Sequence, residues 1–151
     1  MKSRTDTKDS AAHLCLILVR AVNAIVRQGE ADLQRCGLSS TDFRVLEVLL
    51  HKGPLPVNVI GPKVNLTAGA ISVAIDRLQA RDLVERQENP RDRRIKTVAL
   101  TKEGERVIAP VYRRHAALLE RILEPLTPAQ RTSLEDMMRE IGKRAETLSE
   151  S

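Results

Sequence analysis

Between residues 67 and 100 the spacing of apolar side chains changes once, from a helical period to a strand period. That change limits the folds open to the chain. Ile71, Ala74, Ile75 and Leu78 recur at intervals of three and four, the pattern of one buried helix face. Thr67 precedes them as a cap, so a helix is predicted from there to about Arg81. Leu83–Glu88 and Arg94–Leu100 then read as two short strands around the turn-forming Asn89-Pro90-Arg91-Asp92. The tip between them is basic. From Asn89 to Lys96 four cations (Arg91, Arg93, Arg94, Lys96) face one anion (Asp92), a local excess of three against +5 for the whole chain.

The flanking segments read as helices. Residues 1–10 are polar and predicted to be flexible. From Ala11 to about Arg35, Leu14, Leu18, Ala21 and Ile25 form a stripe widened by Ile17, Val22 and Val26, and Gly37 stops it. Ser39, with Asp42 three residues later, marks a second start, and Phe43, Leu46, Leu49 and Leu50 supply the buried face. Gly53-Pro54 ends this helix. Pro56 suits the first position of a third helix, Val57 to about Val64, which Pro62 should bend or shorten. Thr101 caps a further helix with a stripe of Val107, Ile108, Val111, Leu118, Leu119 and Ile122, interrupted at Pro110. Thr127-Pro128 opens the last one. There Leu134, Met138, Ile141, Ala145 and Leu148 step by four and three, which suits packing against another helix.

Three short helices followed by a hairpin predict a mainly α (α+β) winged helix-turn-helix over residues 38–100. Its recognition helix, from Thr67, carries Ala68, Gly69, Ser72, Val73, Asp76 and Arg77 opposite the buried face. The first four are small enough for the helix to enter a major groove. Thr67 and Ser72 suit phosphates or base edges, Val73 a thymine methyl, and Arg77 a guanine edge or a phosphate. Small residues serve tight helix packing equally well, so the wing is the stronger signal. Asp92 is placed to orient Arg94 toward a narrow, electronegative minor groove. The remaining helices, residues 11–36 and 101–148, exceed what a winged domain needs for its core. A two-fold partner is the economical cover for their stripes, giving a homodimer on a palindromic double-stranded site.

Composition closes off other classes. Phe43 and Tyr112 are the only large aromatics and Trp is absent, which counts against proteins that stack unpaired bases. Cys15 and Cys36 lie 21 positions apart, without metal-ligand spacing, so neither a disulfide scaffold nor a metal site is expected and a reducing cytoplasm fits. No signal peptide and no membrane-spanning run is expected. His13, His51 and His115 are scattered, and no phosphate loop, nucleophile elbow or triad is evident, so neither catalysis nor a cofactor is expected. A winged helix serving protein–protein contact is the rival reading.

Leu66-Thr67-Ala68-Gly69-Ala70-Ile71-Ser72, Asp76-Arg77-Leu78, Leu83-Val84-Glu85-Arg86, Asn89-Pro90-Arg91-Asp92-Arg93-Arg94 and Leu100-Thr101 with Gly104 together resemble the MarR family of bacterial regulators. Lys52-Gly53-Pro54 and Ile60-Gly61 fit as well, while Pro62 departs from the usual pattern. The resemblance is dense over about residues 38–104. It implies a dimer with intertwined helices one, five and six. It also implies a wing in which Asp92 orients Arg94, a recognition-helix role for Arg77, and a repressor released by small aromatic ligands or thiol oxidation.

Leu14-Cys15 is similar to the reactive-cysteine position of the peroxide-sensing branch. Here, however, Leu16, Ile17, Leu18 and Val19 follow, and Tyr112 is the only tyrosine. A buried structural cysteine is the favoured reading and a redox sensor the alternative, with His13 a candidate activator. Arg20, Asn23 and His115, with His13, are candidate pocket residues on otherwise apolar helices; solvent-facing positions are the plain alternative.

Overall fold

The computed structural model describes residues 10–88, 92 and 95–149. The chain forms two compact units, Met1–Ala116 and Ala117–Ser151. Of the ten N-terminal residues expected to be flexible, 1–9 lie outside the described residues, whereas Ser10 caps the first helix by accepting from the His13 N–H at 3.1 Å.

The elements run α1 (Ala11–Arg35), α2 (Ser40–Lys52), β1 (Leu55–Pro56), α3 (Val57–Lys63), α4 (Ala68–Ala80), β2 (Val84–Glu88), β3 (Lys96–Leu100), α5 (Lys102–Leu123) and α6 (Pro128–Ser149). The starts follow the predicted caps. Ser39 Oγ accepts from the Asp42 N–H at 3.0 Å, Thr67 Oγ1 from Ala70 at 3.2 Å, and Thr101 Oγ1 from Gly104 at 2.9 Å. At α6, Thr127 Oγ1 accepts from Gln130, and the Gln130 side chain accepts from the Thr127 N–H, a reciprocal capping box. Gly53 ends α2 at φ +73°, a left-handed conformation glycine adopts without strain.

Helix α3 is seven residues long with Pro62 inside it, the abbreviated helix expected. Pro56 stands just outside as its extended N-cap rather than as its first residue. The reason is that Pro56 belongs to a two-residue strand. Leu55 and Pro56 pair antiparallel with Val98 and Thr97, so the sheet has three strands in the order β1-β3-β2 instead of a lone hairpin. Two residues are too few to show a period, and proline's missing donor is tolerated on an edge strand.

The core of the first unit joins every layer of the winged domain. Leu46, Ile60, Ile71, Ile75, Leu78, Val98 and Ile108 are fully buried, with Phe43 and Leu49 beside them. Gly104 is where α5 meets the turn before β2. A Cβ built there would lie 1.9 Å from the Leu83 carbonyl oxygen, and that same oxygen accepts from the Thr101 N–H. No side chain fits.

By contrast, the stripe of α1 is largely uncovered. Leu14, Ile17, Val22 and Val26 are exposed, and only Leu18 and Ile25 are partly buried. The helix is long and, on average, apolar enough to cross a membrane by length and composition alone. Arg20 and Asn23 break the consecutive run but not its average. In the second unit, α6 likewise exposes Leu134, Met137, Met138, Ile141 and Leu148. Within this unit Arg131 of α6 reaches Glu120 of α5 at 2.6 Å.

Candidate nucleic-acid interface

Helix α4 is two-sided, as its period requires. Ile71, Ala74, Ile75 and Leu78 are buried, while Thr67, Ala68, Gly69, Ser72 and Val73 are exposed. Val73 is 61% exposed, a branched apolar side chain on a face otherwise made of small residues. Thr67 uses its oxygen as the helix cap and keeps its O–H for donation outward. The first turn of α4 also points unpaired backbone N–H groups outward, a setting that favours phosphate.

The predicted arginine of this helix is held elsewhere. Arg77 Nε donates to Asp42 Oδ1 at 3.1 Å and Nη2 donates to the same oxygen at 2.5 Å. Arg81, one turn on, stands 3.8 Å from Asp42 Oδ2. Asp42 is 2% exposed, and its hydrogen bonds hold the Arg77 guanidinium above its ordinary pKa. A legible signal pointed to Asp42. It lies three, four and seven residues before Val45, Leu46 and Leu49, which puts an acid on the apolar stripe of α2. A second tie comes from the sheet, where Arg86 of β2 donates to Asp76 at 2.6 Å and to Gln79 at 2.5 Å.

The strand ladder runs from Val84–Leu100 to Glu88–Lys96. Arg91, Arg93 and Arg94 lie outside the described residues. Asp92 is described, and its carbonyl accepts from the Ile95 N–H at 3.0 Å.

The four candidate pocket residues do not converge within one chain. His115 packs its ring 4.7 Å from that of Phe43, stands 4.0 Å from Asp32, and would meet a Cβ at Gly29 at 3.0 Å. It therefore sits at the Gly29–Asp32 level of α1, in a half-buried setting rather than facing solvent. At 1.5 Å per residue, Asn23 lies about 9 Å, Arg20 about 14 Å and His13 about 24 Å farther along that axis. A cavity of about 260 Å³ opens instead among Leu49, Leu50, Gly53, Pro54, Gln87 and Leu100. Cys15, expected to be buried, is exposed in the protomer, because its helix turns this face away from the core. Among the described residues no cluster of three or more His, Cys, Asp and Glu side chains is placed to hold a metal.

The model of the MarR family matches residues 37–95, the stretch from the end of α1 into the wing. The chain is 29% identical to the HTH-type transcriptional regulator MhqR of Bacillus subtilis, over 91% of this chain and 94% of that protein. It is 31% identical to YsmB, an uncharacterised HTH-type transcriptional regulator of the same organism, over 72% and 75%. The fold matches that of Bordetella bronchiseptica BpsR with a TM-score of 0.76 at 22% identity, covering 93% of this chain and 98% of that one. Cap, recognition helix, three-stranded sheet and sequence agree, and the chain belongs to the MarR family.

Proposed function

We propose that this protein is a transcriptional regulator that binds double-stranded DNA as a homodimer. The carrying observation is the outward face of α4, where small residues and one exposed valine surround a capped N-terminus. Such a face enters a major groove without steric conflict, and Thr67, Ala68, Gly69, Ser72 and Val73 are its contact residues. Arg91, Arg93 and Arg94 of the wing reach the adjacent minor groove, with Asp92 orienting Arg94.

The dimer is supported by exposed apolar faces on α1 and α6, which water would otherwise meet. A two-fold dimer matches a palindromic operator, on which the protein acts as a repressor. Release by a small aromatic ligand is supported by BpsR, whose DNA binding is regulated by 6-hydroxynicotinic acid. The free thiol of Cys15, on the α1 face that the proposed dimer covers, gives one further reading, thiol oxidation as the releasing signal. If Cys15→Ser abolishes peroxide-induced release from DNA, the thiol carries the signal.

A salt titration against duplex DNA tests the core of the proposal. Binding driven by phosphate contacts weakens log-linearly with salt. No measurable affinity at low salt would instead favour a winged helix built for an acidic protein partner.

A further inference from the structure

Asp42 is almost completely buried at the start of α2, yet it carries a carboxylate that the core cannot hold alone. Arg77 in the last turn of α4 and Arg81, the residue that caps its C-terminus, both approach it. Arg77 Nε and Nη2 grip it at 3.1 and 2.5 Å, and Arg81 Nη1 stands 3.8 Å away. The Nε–Nη2 edge of a guanidinium is one that reads the paired acceptors of a guanine, and here it is committed to an acid of the protein. The tie from Arg86 to Asp76 is weaker in kind. Asp76 is 65% exposed, and ion pairs at that exposure contribute little. Beside the burial of Ile71, Ala74, Ile75 and Leu78, the buried acid is therefore the stronger of the two polar ties on α4.

We infer that Asp42 and Arg77 form a clamp that sets the angle and depth at which α4 is presented, so that Arg77 is a positioning residue and not a reader of bases. The inference rests on the proposal that α4 enters the major groove. Discrimination between sequences then belongs to Thr67, Ala68, Gly69, Ser72 and Val73, and the clamp keeps all five in register together. A broken clamp loosens the whole half-site, whereas a lost base contact relaxes only one position.

The test uses the full-length protein, an operator selected from random duplexes by the wild type, and a random duplex as reference. Asp42→Asn and Arg77→Gln each lower operator affinity about tenfold and relax base preference across the half-site. Affinity for the random duplex and the salt slope stay near wild type. The double variant loses no more than the worse single one, because the two residues act through each other. Arg77→Lys keeps the charge without the planar fork and gives a smaller loss of the same kind, which covers the case of a poorly folded Arg77→Gln. A purely structural role would lower affinity for both duplexes equally and overturn the clamp. So would preference lost at a single base pair, or a salt slope reduced by about one contact in Arg77→Gln alone. If the wild type binds neither duplex, the DNA-binding proposal falls and takes the clamp with it.

Discussion

The Arg114 guanidinium donates twice to one carboxylate oxygen of Asp32, from Nε at 2.8 Å and from Nη2 at 2.5 Å, across 82 residues of sequence. Nη2 also reaches the Asp32 main-chain carbonyl at 3.2 Å. The two partners are unequally buried, with side-chain exposures of 46% for Arg114 and 11% for Asp32. The contact fastens the end of α1 to α5 within the first unit.

That inequality makes the two deletions unequal. Arg114→Ala strands a buried carboxylate, whereas Asp32→Ala leaves an arginine that turns to water. Thermal unfolding should show the larger fall in Tm for Arg114→Ala. Equal falls, or the reverse order, would mean that the pair is as solvated as an ordinary surface bridge.

Gly104→Ala has nowhere to put its methyl group except against the Leu83 carbonyl. The α5 terminus must shift away from β2, at about 3 kcal/mol, the upper range of overpacking costs. Tm should drop by roughly 6–12 °C for a chain of this size. An unchanged Tm would show that α5 does not approach this turn so closely.

Helix α4 should separate stability from binding. Leu46→Ala, in the core beneath it, costs about 2–5 kcal/mol by opening a cavity. Val73→Ala changes stability by less than about 0.5 kcal/mol, as exposed sites do. Operator affinity falls for Val73→Ala even so, which chemical denaturation and fluorescence anisotropy together resolve. Undiminished affinity would remove Val73 from the interface.

The proposed dimer buries the open side of α1. Val22, 49% exposed in the protomer, becomes an interface residue, and Val22→Glu should yield a folded monomer in sedimentation. Cys15 on the same helix should react faster with a thiol reagent in that variant than in the wild type. A wild-type sedimentation mass of one chain would contradict the dimer.

Much of this architecture was legible because periods and caps are local. Ile71, Ala74, Ile75 and Leu78 fixed which side of α4 is buried, and Ser39, Thr67, Thr101 and Thr127 marked where helices begin. The missing pieces were non-local. Strand β1 shows no period in two residues, and its existence depends on Val98 and Thr97 more than 40 positions away. Asp42 and Arg77, like Asp32 and Arg114, are paired by tertiary packing alone. An acid on an apolar stripe announces that a partner is needed without saying which arginine answers. His115 gave the same kind of notice, since it lies on the stripe between Val111 and Leu118–Leu119. Cys15 is exposed in the protomer because α1 presents its apolar neighbourhood outward, on the side that the proposed dimer covers.

Hydroxyl-radical footprinting on an operator selected by the wild type tests the central claim most directly. Two recognition helices on a two-fold dimer should protect two half-sites on one face of the duplex, about 10 base pairs apart centre to centre. A single protected patch, or protection without two-fold symmetry, would contradict the account.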